Sequence, residues 1–170
     1  IRFESPSIDI SCGDGIFMFT HFNGEINNSF NYFQSTKSEE FKHGSNIDIY
    51  DKFSESYSPK IVKFPDCSVD YGTDWKQALL DKAAELGIYK NRLMWDNNQM
   101  PVPFPSNHFK TVYSNSVYWI KDTKGLLSEI YRITRKEGIA LLNVMTPELL
   151  GTLDRIKPYL SPEAIFILDR

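Results

Sequence analysis

The sequence predicts an α/β protein, a three-layer αβα sandwich built around a mostly parallel sheet. Short apolar runs alternate along the chain with segments whose apolar residues recur at helical spacing, the order that produces parallel strands joined by right-handed crossovers. One run, "IALLNV" at 139–144, is almost continuously apolar, as strands covered on both faces are. Carboxylates and small polar residues fall just after the runs, where sheets of this kind hold ligands: beyond the carboxyl ends of the strands, at the point where the winding reverses.

Residues 7–11 read as the first strand, and "SIDISCGDG" at 7–15 ends it in two glycines separated by one residue. That order marks a buried strand turning sharply into a helix. Ile16 to Phe22 reads as the helix, with Gly24 placed to close it. From about 25 to 67 clear periodicity is lost: Phe30, Tyr32 and Phe33 precede the polar run "QSTKSEEFKHGSN" and then "IDIYDKF". This stretch reads as an insertion, a surface excursion with a small apolar cluster of its own. Ser68 to Gly72 is the second strand, followed by a helix carried by Trp75, Leu79, Leu80, Ala83, Ala84 and Leu86 and stopped by Gly87. Residues 92–95 give a third strand and 111–115 a fourth. The segment "TKGLLSEIYRITRKEG" predicts an amphipathic helix ending at Gly138, and 139–144 is the fifth strand.

Beyond Val144, Thr146-Pro147-Glu148 and Ser161-Pro162-Glu163 each place a capping hydroxyl before a proline at the first helical position, so two more helices are expected. No sixth or seventh strand is visible before Arg170, and the chain opens on Ile1, almost inside its first strand. Absent C-terminal strands and a fragment are one reading of this, and truncation at either end is left open.

A length of 170 residues fits a single domain, 1–170, interrupted by the insertion. With 19 basic against 22 acidic side chains and a net charge of -3, the chain lacks the concentration of Lys and Arg that a nucleic-acid or anionic-membrane binder needs. No apolar run approaches the roughly 20 residues that span a bilayer, and no charged-then-apolar leader opens the sequence. A soluble, cytoplasmic protein is expected. Cys12 and Cys67 stand far apart outside any CxxC pair, and His21, His43 and His108 show no ligand spacing, so no metal site is expected and a reducing compartment is the simpler reading. A dinucleotide cofactor would require a third glycine where Met18 stands.

The stretch "MPVPFPSNHFKTVYSNSVYWIKD" followed by "LLSEIYRITRKEGIALLNV", together with "IDISCGDG" and "YGTDW", resembles the class I S-adenosylmethionine-dependent methyltransferases, in their small-molecule, methyltransferase type 11-like branch. The resemblance runs from the first strand to the fifth, apart from the insertion, and implies a Rossmann-like fold. Two positions depart from the family pattern: Ser11 stands where a glycine is usual, and Lys110 follows Phe109 where an aspartate is usual.

What the resemblance implies for chemistry can be placed residue by residue. Asp9, Ser11, Cys12, Gly13 and Gly15 would surround the methionine end of the cofactor, with Asp9 near its amino group or holding the loop. Asp74 would accept both ribose hydroxyls through charge-assisted hydrogen bonds, or serve as a cap for the helix that follows it. Asp48 and Asp51 imitate the same pattern, but no helix with a glycine stop follows either. Asp96 would take the exocyclic amine of adenine, with the backbone of Asn97 on the ring, or the two residues would stabilise a turn. Trp75 and Trp95 could wall the ring, with plain core packing the alternative for Trp95.

Ser114, Asn115 and Tyr118 are the catalytic candidates, on the loop facing the transferred methyl, and His108 is a candidate base or a surface histidine. The implied function is methyl transfer from S-adenosylmethionine to a small-molecule acceptor, with no nucleic acid and no membrane span among its partners and the oligomeric state open. The alternative is a catalytically inactive S-adenosylmethionine-binding module acting as a sensor or partner subunit.

Overall fold

The computed structural model describes residues 3–28, 30, 57–117 and 120–143. Its centre is a five-stranded sheet made by β1 (Ser7–Ile10), β4 (Val69–Asp74), β5 (Tyr89–Met94), β6 (Phe109–Ser114) and β7 (Thr134–Leu142), in the order β5-β4-β1-β6-β7 with every pair parallel. From β1 the chain winds outward to β4 and β5 and then returns to β6 on the other side. The winding therefore reverses between β1 and β6, and the carboxyl ends of β1, β4 and β6 share one rim.

Alternation along β1 divides the core in two. Ile8 and Ile10, both fully buried, face one side and join Val102, Phe109, Val112 and, from α3 (Thr123–Ile133), Leu126, Ile130 and Ile133. The other side is covered by α1 (Ile16–His21) and α2 (Gln77–Leu86), which bring Met18, Phe19, Leu80, Ala83 and Leu86 against Val69, Ile88 and Tyr89. α2 and α3 form where apolar residues recur every three to four positions, and each has an identifiable boundary. Gly87 closes α2 in the left-handed conformation, and the Asp122 carboxylate caps α3 by accepting the Gly125 N–H at 2.8 Å.

Several predicted boundaries shift, among them the fourth and fifth strands, which run Phe109–Ser114 and Thr134–Leu142. The second main strand runs to Asp74 rather than Gly72, so Asp74 is the last residue of β4, in register with Met94. The third begins at Tyr89, three residues earlier than its apolar run suggests, because its exposed edge carries Lys90, Asn91 and Arg92. α3 stops at Ile133, not Gly138. Thr134 is already extended, with φ −74° and ψ 133°, and pairs with Phe109 on β6. Arg135 to Gly138 then bulge out of register before Ile139 resumes opposite Thr111, and Glu137 takes a φ of 64° while its carbonyl accepts from the Lys110 ammonium at 2.9 Å. The polar "TRKEG" belongs to a bulged strand rather than to a last helical turn.

Within the inserted stretch, β2 (Glu25–Ile26) and β3 (Ile61–Lys63) pair antiparallel at its base. Asp48, Asp51, Tyr118 and the two helices expected after Val144 lie outside the described residues. No helix among the described residues is long and apolar enough to cross a membrane.

Leu126 is fully buried where α3 meets the sheet. Leu126→Ala is expected to lower unfolding free energy by about 2–5 kcal/mol, the range for a large-to-small change that leaves a cavity. Urea denaturation measures it.

Candidate functional site

At the end of β1 the chain turns through Ser11 (φ 60°), Gly13 (φ 59°) and Gly15 (φ 78°) before entering α1. Three left-handed residues in five wind the turn tightly, and glycine supplies two of them without steric cost. Two bonds clamp the turn to the end of β4: the Cys12 N–H donates to the Thr73 carbonyl at 2.8 Å, and the Gly13 N–H donates to Asp74 Oδ2 at 3.0 Å. Asp74 Oδ1 accepts the N–H of Lys76, the residue that leads into α2, also at 3.0 Å.

Asp74 is thus 4% exposed and held from both sides. Burial raises its pKa above the usual carboxylate value, and the N–H groups of Lys76, Gly13 and Trp75 pull it partly back. Asp74 does not cap α2, whose N-cap is Lys76 without a side-chain cap bond; it braces the approach to the helix instead, and that role and a ligand role are compatible in this geometry. An ionised carboxylate offers about four lone-pair sites, and the Gly13 and Lys76 bonds take one on each oxygen.

Next to this joint lies a cavity of about 680 Å³, within the range for a small-molecule site. Of the predicted cofactor residues, Ser11, Asp74, Trp75, Asp96 and Asn97 line it. Asp96 does stabilise a turn, since its Oδ1 accepts both the N–H and the side-chain amide of Asn98, at 2.8 and 3.0 Å. No contact among the described residues engages its second oxygen. The Asn97 amide donates to the Ser11 hydroxyl and ties the loop after β5 to the glycine turn, while its Oδ1 is buried without a partner among the described residues. Trp75 is 60% exposed and lays its indole on the wall under the Lys76 ammonium, 4.6 Å from the ring centroid.

The remaining predicted residues sit off the wall. Asp9 is 3% exposed beneath the turn, where its Oδ2 accepts the Tyr89 hydroxyl at 2.6 Å. Burial pushes its pKa up to about 7, opposed by the Tyr89 bond and aided by the charge of Asp74. Cys12 is buried beside it, its thiol pKa raised by the same desolvation. Trp95 is half-buried and absent from the wall.

Ser114 is fully buried, and Asn115 accepts from the Asn143 side-chain amide; neither faces the cavity. Ser116 does, with its hydroxyl buried and unpartnered among the described residues. His108 precedes β6 and stacks near Phe104, at the amino end of the strand, so it stands at the opposite end of the sheet from this rim. The sequence reading also missed Lys76, Leu79, Ile120 and Lys121 on the wall. Lys76 and Leu79 were available to it, because they are the first-turn neighbours of Asp74 on a helix already predicted.

A family profile described as a methyltransferase domain matches residues 58–142, half of the chain. No curated protein shows significant sequence similarity to it. Among solved structures it is similar to an S-adenosylmethionine-dependent methyltransferase of Thermotoga maritima, described as a possible histamine N-methyltransferase, at 13% identity and a TM-score of 0.56, over 94% of this chain and 55% of that one. It is also similar to an S-adenosylmethionine-dependent methyltransferase of Mesorhizobium loti, at 15% identity and a TM-score of 0.46, over 80% of this chain and 44% of that one. The chain spans about half the length of these proteins.

The buried acid makes stability depend on pH with a definite sign. An unfolded Asp9 releases its proton near 3.8 and the folded one near about 7, so between these values the folded state holds the extra proton and stability falls as pH rises. The change is up to about 4 kcal/mol at 1.36 kcal/mol per pH unit. In Asp9→Asn, which keeps an acceptor for Tyr89, the slope of unfolding free energy between pH 4 and pH 7 is expected to flatten, as read by urea denaturation across that range.

Proposed function

The chain belongs to the methyltransferase-domain family, and we propose from that membership that its cavity binds S-adenosylmethionine and that the protein transfers a methyl group to a small-molecule acceptor. The observation that carries this is the convergence of Asp74, Asp96 and Asn97 on one hollow beside a turn of three left-handed residues.

The groups present fit the cofactor. Asp74 lines the cavity, and beyond the N–H groups of Gly13, Lys76 and Trp75 its two oxygens retain acceptor capacity for ribose hydroxyls. A Cβ built on Gly13 would meet nothing within 4 Å, so the turn leaves room for a ligand to approach its backbone. Asp96 and Asn97 both line the hollow, and among the described residues no contact engages the second oxygen of Asp96, which leaves it as an acceptor for an amine on a flat base. Trp75 supplies an aromatic surface on the wall.

When bound, S-adenosylmethionine would supply a methyl group on a positively charged sulfur that is itself a good leaving group: the methyl–sulfur bond breaks, the electron pair stays on sulfur, and the neutral thioether departs. The protein is left with holding and aligning. Asp74 orients the nucleoside, Asp96 and Asn97 fix the base, and the glycine turn receives the methionine end. Ser116, Ile120 and Lys121 form the wall after β6, where an acceptor would be aligned and water excluded. Alignment of this kind is worth up to about 7–11 kcal/mol of barrier, so neither a triad nor a metal is required of these residues. The balance of charge, with no basic stripe, favours a small acceptor over a nucleic acid.

The position of Ser114 and Asn115 away from the cavity favours a second reading, in which the same fold binds S-adenosylmethionine without transferring its methyl, as a sensor or partner subunit. Turnover with a labelled methyl donor across metabolite pools separates the two.

Asp74→Ala is expected to weaken binding of S-adenosylhomocysteine by about a hundredfold, the loss of two hydrogen bonds to a charged acceptor. Titration calorimetry reads the affinity, and circular dichroism checks that the variant is folded. Equal affinity in parent and variant would remove Asp74 from the ribose role.

A further inference from the structure

Tyr89 is the single fully buried side chain of β5, a strand whose other residues are exposed or half-buried. Its ring is wedged between the glycine turn and β4. A Cβ on Gly15 would stand 3.0 Å from its Cε2, with Ala83 and Ile88 at 3.2 Å, and a Cβ on Gly72 would stand 2.8 Å from its Cγ. Phenylalanine would fill this space equally well. The hydroxyl is therefore an extra commitment, since a buried hydroxyl costs free energy unless it finds a partner. Its partner is Asp9 Oδ2, itself buried and without another hydrogen bond among the described residues.

We propose that Tyr89 is a positioning residue for ligand binding: its ring is the bed on which Gly15 rests, and its hydroxyl fixes Asp9 beneath the turn so that the Gly13 N–H is delivered to Asp74. The ring acts from strand β5, the carboxylate from β1 and the receiving acid from β4, so one phenol couples three strands at the rim. The ligand it serves is the S-adenosylmethionine of the preceding section, and the proposal rests on that reading for its functional consequence. It does not rest on it for the geometry of the turn.

The ionisable groups bearing on the pair come from each neighbouring element. Asp74 approaches from β4, Cys12 and Asp14 from the turn, and Tyr113 lies opposite Asp9 in register on β6; Lys82 of α2 acts on Asp14. Four of these, Asp74, Cys12, Asp14 and Tyr113, are negative or neutral, and the one cation, Lys82, acts on Asp14 rather than on Asp9. The Tyr89 O–H is accordingly the principal group favouring the charged form of Asp9.

The test is Tyr89→Phe, which keeps the ring and removes the hydroxyl, with Asp9→Asn as the second variant. In the free protein, amide hydrogen exchange at Gly13 and Gly15 is expected to quicken in Tyr89→Phe while the amides of α3 keep their protection. S-adenosylhomocysteine affinity is expected to fall about tenfold. Its pH profile carries the signature that mere loosening would not produce: a component with its midpoint near 7 in the parent, moved upward in Tyr89→Phe and absent in Asp9→Asn. Unchanged exchange at Gly13 and Gly15 together with an unmoved midpoint would overturn the role of Tyr89. If the parent binds no S-adenosylhomocysteine at any pH, the cofactor reading fails, and the exchange rates alone still decide for or against the positioning role.

Discussion

The rim of this sheet depends on one buried carboxylate. Asp74 accepts an N–H from the glycine turn on one oxygen and an N–H from the entry to α2 on the other, each at 3.0 Å, while only 4% of it meets solvent. Burying an acid is costly unless its lone pairs are engaged, and here the engagement is supplied by backbone groups that have to be in place for the fold to close. The turn after β1, the end of β4 and the start of α2 are consequently fixed relative to one another by a residue that also lines the cavity. Under the proposed function, a change at Asp74 would therefore alter the fold of the rim and ligand binding together.

Why the site arises at this rim follows from the parallel strands. Alternation along β1 sends Ile8 and Ile10 to one core and Asp9 to the other, and the strand ends where its neighbours on both sides end. Polar residues gather there because strand pairing stops and backbone N–H groups need other partners. Asp9 answers a need one layer deeper than Asp74. It accepts the Tyr89 hydroxyl and feels the charge of Asp74, but only Asp74 lines the cavity, so the two acids are not two walls of one pocket.

Much of this was legible in the residues. Strand and helix order followed from apolar spacing, and Asp74 and Asp96 stood out because each ends or follows an apolar run, whereas Asn97 was singled out by the family resemblance alone. The parts that escaped did so for physical reasons. Tyr89 begins a strand of Lys90, Asn91 and Arg92, whose polarity hides an edge strand from periodicity, so its partnership with Asp9, eighty positions away, left no local trace. The end of α3 was misplaced because "TRKEG" carries helix formers and a terminal glycine, yet Thr134 is captured by Phe109 and the rest bulges. Ser116 was passed over for Ser114 and Asn115 because alternation fixes which side of a strand end faces the rim only once the register is known.

The central claim is that Asp74 serves at once as the joint of the turn and as the acceptor for a nucleoside ribose. A crystal structure of the protein with S-adenosylhomocysteine measures it most directly. The account predicts both ribose hydroxyls within about 2.5–3.0 Å of the Asp74 oxygens, with the Gly13 bond intact and the base between Trp75 and the Asp96–Asn97 loop. A ligand seated elsewhere, or an Asp74 carboxylate that has to leave Gly13 to reach it, would contradict it.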